Sequence, residues 1–487
     1  MKIFLALDFK TEEIKELLQE LKNRSHEVVY LMGVKSREDE DFGETVFHDN
    51  MDAWHGRPAL SLANEKFPPA GEDIISQMHR TESIVLTMMN RIKFGNYGNM
   101  CVDERKHCYY ETLGYWHGVL MKYKPDVIVF PIVPHVLSEY VLYELALLLG
   151  IKIICFDDTW VSDRLLTHYD FWKGNDKVQE ALKRNQGKKF TLDDLSQDLK
   201  NYYIEKTKAG DPFYMKEWKN RDRQATSLFF KLKILYRSLI SLTIFKDAYW
   251  FLKSRIEGNI KSEYLNLQKE ADLGKKYVYA PLHYQPEKTT SPLGGVFVDQ
   301  ILMVETLSYS LPEGWEIYVK EHPRQLSAAG TIGLNYNNQR YKGYYERLAK
   351  LKNVRLVPLS TDSLTLIKNS QAVATVCGTA GWEALLLSKP ALVFGYPWYQ
   401  DCPSILRVKD AASGREALQK IENGYKVDQA DIINYLKSFD EGTIHCVLDN
   451  FFNIDDLKIS ALSGKEQKEN YFNWILKEID NIKLNTK

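Results

Sequence analysis

The chain opens on a run that is apolar at nearly every position, Ile3-Phe4-Leu5-Ala6-Leu7, followed by apolar residues at helical spacing, Ile14, Leu17, Leu18 and Leu21. A short continuous apolar run reads as a buried strand, and recurrence every three or four residues reads as one face of a helix. Thr11-Glu12-Glu13 places acids in the first turn of that helix, where they meet the positive end of its dipole. Glu27 to Gly33 is a second apolar run, so strand, helix and strand follow one another from the first residue, the pattern of a parallel α/β domain. Residues 34–75 are polar and irregular and predict an insertion or acceptor-facing loop, and helical pattern returns over 76–123. Alternation resumes after Lys124-Pro125, with a strand to Pro131, a helix over 138–149 stopped by Gly150, and a strand from Ile151 to Phe156.

From 175 to 270 the pattern is charged and helical, with few strand signals. A second α/β run begins at Lys276, with strands expected over 276–282, 315–320, 354–358 and 372–376 and helices over 298–310 and 363–368. The remainder from 430 is helical and is expected to pack back on the first domain. The expected class is therefore α/β. An N-terminal α/β domain spans 1–200, a helical connection 201–272, a C-terminal α/β domain 273–430, and terminal helices 431–487.

Composition narrows the partners more than the fold. At 487 residues, 44% hydrophobic and 26% charged, the chain suits two or three soluble domains with cores that need no disulfides. A net charge of −1 gives no global field for nucleic acid. The six cysteines form no C-x-x-C pair, which argues against a zinc ribbon or redox dithiol and fits a reducing cytoplasm. The opening apolar run is too short for a signal peptide and no run suits a membrane-spanning helix, so a cytoplasmic location is expected. The basic amphipathic stretch 228–240, with Lys231, Lys233 and Arg237, fits either a helix packed between domains or a peripheral contact with an anionic membrane face.

Chemistry concentrates in the second half. Ala374 to Gly395 reads as strand, small-residue turn, helix, Lys-Pro turn and strand. Gly378, Thr379, Ala380 and Gly381 let a ligand approach the backbone, and the helix starting there offers N–H groups and a positive dipole end to an anion. Glu383, early in that helix, can accept ribose hydroxyls or simply complement the dipole. Lys320-Glu321-His322-Pro323 ends a strand; Lys320 and His322 can meet a phosphate or sugar carboxylate, or the segment is a charged surface turn. Leu282-His283-Tyr284-Gln285-Pro286-Glu287 follows another strand and holds two acid–base candidates, His283 and Glu287. There is no G-x-x-x-x-G-K-[ST], no G-x-S-x-G and no G-x-G-x-x-G after the first strand, and no D-x-D pair suits a metal-held nucleotide sugar. Asp157 and Asp158 are adjacent and point to opposite faces of an extended chain, so neither a catalytic metal nor a cofactor is expected.

Taken together, the 282–287 block, Val319-Lys320-Glu321-His322-Pro323, and Gly378-Thr379-Ala380-Gly381-Trp382-Glu383-Ala384 with Lys389-Pro390 resemble, in order and spacing, the capsule polysaccharide biosynthesis family over residues 276–400. That family includes Kdo transferases and enzymes using other CMP-activated ulosonic acids. The Gln-Pro-Glu block looks like the variant that transfers nonulosonic acids such as pseudaminic acid. The N-terminal half is similar only through Met89-Asn90-Arg91, Pro134-His135 and the strand ends. The resemblance implies a GT-B fold of two Rossmann-like domains facing a cleft and a CMP-sugar donor on the C-terminal domain. It implies a glycan or glycolipid acceptor and transfer that is retaining and metal-independent. It makes His283, Tyr284, Gln285, Lys320, Glu321, Pro323, Gly378–Gly381 and Glu383 donor-site residues, with Glu287 and His322 at the reacting centre. Asp157 or Asp158 becomes the acid/base candidate of the other domain, and Asn90, Arg91 and His135 fall on the acceptor side. Two other readings stay open: a UDP-sugar transferase or epimerase on the same scaffold, and a non-catalytic polysaccharide export or binding component.

Overall fold

The computed structural model of the chain describes residues 1–34, 42–90, 100–208, 260–326, 340–448 and 462–485. Arg91 and the basic stretch 228–240 lie outside the described residues. One unit takes Met1–Tyr202, Trp398–Asp401 and Ile433–Lys487; the other takes Tyr203–Pro397 and Cys402–Ile432. No helix of the described residues is long and apolar enough to cross a membrane.

The first unit is built on a seven-stranded sheet. Its strands β1 (Lys2–Lys10), β2 (Glu27–Val34), β3 (Val46–Asp49), β4 (Val127–Phe130) and β5 (Lys152–Asp158) run parallel, while β6 (Arg164–His168) lies antiparallel to β5 and β13 (Thr443–His445) antiparallel to β6. The spatial order is β13-β6-β5-β4-β1-β2-β3. Central β1 is covered on both faces, which is why it reads as an unbroken apolar run rather than an alternation. Ile3, Leu5 and Leu7 pack with Ile14, Leu17 and Leu21 of the helix Thr11–Asn23 and with Tyr471, Ile475 and Ile479 of the helix Gly464–Asn485. On the opposite face Phe4 stacks on Tyr30 at 4.4 Å, and Trp116 tilts against both rings. The helix Leu137–Leu148 ends near Gly150, whose φ of +72° matches the expected glycine stop.

The stretch 34–75, expected to be irregular, contains β3 and the short helices Asn50–Trp54 and Glu72–Gln77. β3 does alternate, with Val46 and His48 buried and Phe47 and Asp49 half-buried, but four residues at a sheet edge are too few for the alternation to stand out. β6 and β13 were likewise not expected, because they carry polar side chains inward. Buried Arg164 donates to Asp440 at 2.8 Å, Asp163 at 2.8 Å, Asp198 at 2.7 Å and Ser196 at 3.2 Å. One guanidinium thus ties β6 to two helices, Gln197–Lys208 and Gln429–Glu441.

The second unit has an all-parallel six-stranded sheet: β7 (Tyr277–Pro281), β8 (Glu316–Lys320), β9 (Val354–Leu356), β10 (Ala372–Thr375), β11 (Ala391–Val393) and β12 (Ile405–Arg407). Their order is β12-β11-β10-β7-β8-β9. The chain lays β8 and β9 on one side of β7 and then returns to lay β10, β11 and β12 on the other. The loops leaving β7 and β10 therefore diverge, and open parallel sheets bind ligands at the carboxyl ends of the strands where this reversal occurs. In the first unit β1 and β4 meet in the same way. The chain is thus α/β with two Rossmann-like sheets, the make-up of the GT-B class.

Arg164→Met leaves Asp163, which is 4% exposed, with His445 as its basic partner at 2.9 Å, and removes the guanidinium that Asp198 and Asp440 share. It should cost about 3–5 kcal/mol of stability in chemical denaturation; a loss below about 1 kcal/mol, the scale of a surface pair, contradicts this reading of the network.

Candidate active site in the C-terminal unit

The reversal of strand order sits between β7 and β10, and the small-residue turn follows β10. Gly378 is the N-cap of the helix Thr379–Leu386, with φ −73° and ψ 156°. Its N–H donates to Thr375 Oγ1 at 2.9 Å. From the loop after β7, His283 brings Nε2 within 3.1 Å of the Cys377 N–H and of Thr375 Oγ1. The turn is therefore held across the switch point. A Cβ on Gly378 would lie 2.9 Å from both His283 Nε2 and Thr375 Oγ1, so glycine is required there for close approach and not for its φ. The N–H groups at the start of the helix carry the positive end of its dipole, that of Gly381 already bonding the Gly378 carbonyl at 3.2 Å, so the turn can face an anion.

The loop after β8 is fastened from below. Glu321 accepts from Arg340 Nε at 2.7 Å, from Tyr345 OH at 2.7 Å and from the His322 N–H at 2.7 Å. Both side chains of the Glu321–Arg340 pair are fully buried. Arg340 also donates to the His283 carbonyl at 3.0 Å and to Gln285 Oε1. Gln285 Oε1 takes a second bond from Gln300 Nε2 at 2.8 Å, and the Gln285 N–H donates to Gln325. Gln285 and Glu321 thus face inward and tie the β7 and β8 loops together. Lys320 is also buried, its ammonium donating to the Thr361 carbonyl and to Ser363 Oγ at 3.0 Å, which Tyr279 OH reaches from the other side at 3.3 Å.

His322 is half-buried above this frame. Its Nδ1 accepts the Arg324 N–H at 3.3 Å, which puts the ring proton on Nε2. Burial and then the charges of Arg324, Arg340 and Lys320 pull its pKa down to about 4, so the ring is a neutral donor at pH 7. Burial, then the neighbouring His322, pulls His283 down to about 3. Arg324 lies over the Tyr284 ring at 4.5 Å and pairs with Glu287 at 3.6 Å. Tyr284 also faces His322, with ring centroids 5.8 Å apart. Pro323 opens the short turn Pro323–Leu326 that carries Arg324, and Glu383 sits half-buried on the helix Thr379–Leu386, its charge acting on Tyr279.

The structure thus brings His283, Tyr284, Gln285, Glu287, Lys320, Glu321, His322, Pro323, Gly378–Gly381 and Glu383 to the carboxyl ends of β7, β8 and β10 in one unit. The other sequence candidates belong to the first unit. Asp157 and Asp158 end β5, and Asp158 accepts the Leu448 N–H at 3.2 Å. His135 follows β4, its ring bonded to the Val133 carbonyl at 3.0 Å, and Asn90 accepts from Arg105 at 2.7 Å. Arg340, Gln300 and Thr375 were missed: a buried charge or amide has no periodicity to betray it. Only the position of Arg324 directly after His322-Pro323 could have marked it.

Residues 288–432 match the family model described as "Capsule polysaccharide biosynthesis protein". Over this stretch the resemblance read from the sequence holds. The capsule polysaccharide modification protein LipA of Neisseria meningitidis serogroup B is 33% identical over 98 residues, 20% of this chain and 12% of LipA. Its serogroup A counterpart is 32% identical over 98 residues, with the same coverage. The chain therefore spans only about an eighth of the curated relatives it matches, 12% of their length. Among solved structures, the β-Kdo 2,7 transferase of Thermosulfurimonas dismutans KpsC aligns at 10% identity over 74% of this chain and 88% of that chain, with a TM-score of 0.32. A UDP-GlcNAc 2-epimerase from Neisseria meningitidis aligns at 14% identity over 98% of this chain and 100% of that chain, with a TM-score of 0.24.

The depressed histidines make stability pH-dependent with a definite sign. The unfolded chain protonates these rings below about 6.5, whereas the folded chain leaves them neutral down to about 4 for His322 and about 3 for His283. Their contribution is fully present above pH 6.5 and is lost as pH falls toward the folded values. His283→Gln, which keeps an acceptor for Cys377, should flatten the fall of unfolding free energy between pH 6 and 4 by about 1.4 kcal/mol per pH unit. An unchanged slope in denaturant titrations contradicts it.

Proposed function

We propose that the chain is a glycosyltransferase of capsule polysaccharide synthesis. It moves an ulosonic or nonulosonic acid, Kdo-like or pseudaminic acid-like, from a CMP-activated donor to a glycan or glycolipid acceptor. The observation that carries this reading is the anion turn Gly378–Gly381, locked across the switch point by His283 and set in the same loop cluster as neutral His322. The capsule family match over residues 288–432 supports the same pathway.

In this reading the donor phosphate sits on the helix N-terminus. The bond between the anomeric carbon and the phosphate oxygen breaks, and the electron pair leaves with CMP. His322 Nε2–H donates to the departing phosphate, whose charge in turn favours a proton on the ring. The helix dipole and these donors supply the stabilisation that a metal supplies in other nucleotide-sugar enzymes, so the reading includes no metal. Glu383 accepts the ribose hydroxyls. The acceptor hydroxyl forms the new glycosidic bond and gives its proton to a carboxylate. Retention requires a nucleophile or a front-face route, and Glu287 is the essential carboxylate on the donor side. Asp157 or Asp158 is the acid/base candidate of the first unit.

CMP should raise the melting temperature of the full chain and UDP should not, with about 2.7 kcal/mol of stabilisation at a hundredfold excess over the dissociation constant. Glu287→Gln should keep that CMP-induced shift while transfer from a CMP-sugar falls about a hundredfold or more. A shift with UDP alone overturns the donor, and full transfer by a folded Glu287→Gln protein removes Glu287 from the mechanism.

A further inference from the structure

In a CMP-activated ulosonic acid one carbon carries both the phosphate ester and a carboxylate. A site for such a donor needs a second anion contact close to the phosphate turn. Three cations act on His322: Arg324, Arg340 and Lys320. Arg340 is fully buried and spans Glu321, Gln285 and the His283 carbonyl. Lys320 is buried against the Thr361 carbonyl and Ser363. Both hold the protein to itself. Arg324 differs: its side chain is 25% exposed, and its ion-pair partner Glu287 is 43% exposed at 3.6 Å, beyond hydrogen-bond length. So open a pair contributes little and is readily exchanged.

We infer that Arg324 is the ligand for the donor's carboxylate and the residue that selects carboxylated sugars; this rests on the CMP-ulosonate reading above. The guanidinium is held over Tyr284, with Cζ 4.5 Å from the ring centroid, and its own backbone N–H holds His322 Nδ1. Tyr284 directly follows His283, which bonds the Cys377 N–H of the phosphate turn. Consecutive residues of one loop thus touch the phosphate turn and the Arg324 guanidinium. The planar fork of an arginine suits a carboxylate, and Lys320 cannot replace it without leaving Thr361 and Ser363. When the sugar carboxylate takes Arg324, it replaces the open contact between Arg324 and Glu287.

The test is calorimetric titration of the full chain with CMP, CMP-Kdo and CMP-pseudaminic acid, for wild type, Arg324→Met and Arg324→Lys. Wild type should bind at least one CMP-sugar more tightly than CMP. Arg324→Met should weaken that CMP-sugar about tenfold or more while CMP affinity stays within about twofold, which also shows that the variant is folded; Arg324→Lys should fall between. An unchanged ratio of CMP-sugar to CMP affinity in Arg324→Met overturns the assignment of Arg324 and leaves the CMP reading standing. So does equal loss of CMP and CMP-sugar in both variants, or no gain from either sugar in wild type. Wild type that binds no cytidine ligand at all overturns the functional reading and the role of Arg324 together.

Discussion

One buried guanidinium organises the C-terminal unit. Arg340 pairs with Glu321 below the His322 loop and reaches the His283 carbonyl and Gln285 in the loop after β7. Those two loops leave neighbouring parallel strands, where the Leu282 N–H still bonds the Lys320 carbonyl at 2.8 Å, and further out side-chain bonds tie them together. A buried pair of this kind adds little net stability compared with apolar packing, but losing one partner strands a charge in the interior. The arrangement is therefore better understood as a positioning device. It fixes where His283 meets the Cys377 N–H and where His322 stands above Glu321.

That division between frame and working surface explains which parts were legible in the sequence. The central strands β1, β4, β7 and β10 are buried on both faces and appear as apolar runs, and their positions in the structure agree with expectation to within a few residues. The edge strands β3, β12 and β13, and β6 next to the edge, are short and carry groups such as Arg164 and His445, so no apolar run announced them. In the site, the residue types were legible and their tasks were not. Lys320, Glu321 and Gln285 stood in the sequence as donor contacts, yet each has its polar atoms engaged by protein partners in the interior. Arg340, which engages two of them, lies in a polar stretch with no pattern at all.

Electrostatics follows from the same frame. Burying His322 beside three cations keeps it neutral, so it enters the site as a dipolar donor and not as a competing cation. The helix at Thr379 is likewise dipolar. In the proposed reaction a dianionic leaving group would meet oriented N–H groups that need no reorganisation, and Arg324 is the part-exposed member of the three cations around His322. Such a site would suit an anion without a large net positive charge of its own.

The central claim is that the Gly378–Gly381 turn receives a cytidine phosphate. A crystal structure of the chain with CMP tests it most directly. The account requires the phosphate within about 3 Å of backbone N–H groups at the start of the Thr379–Leu386 helix and of His322 Nε2, with the ribose toward Glu383. CMP bound with its phosphate away from that turn, in a protein whose His283–Cys377 bond is intact, would contradict it.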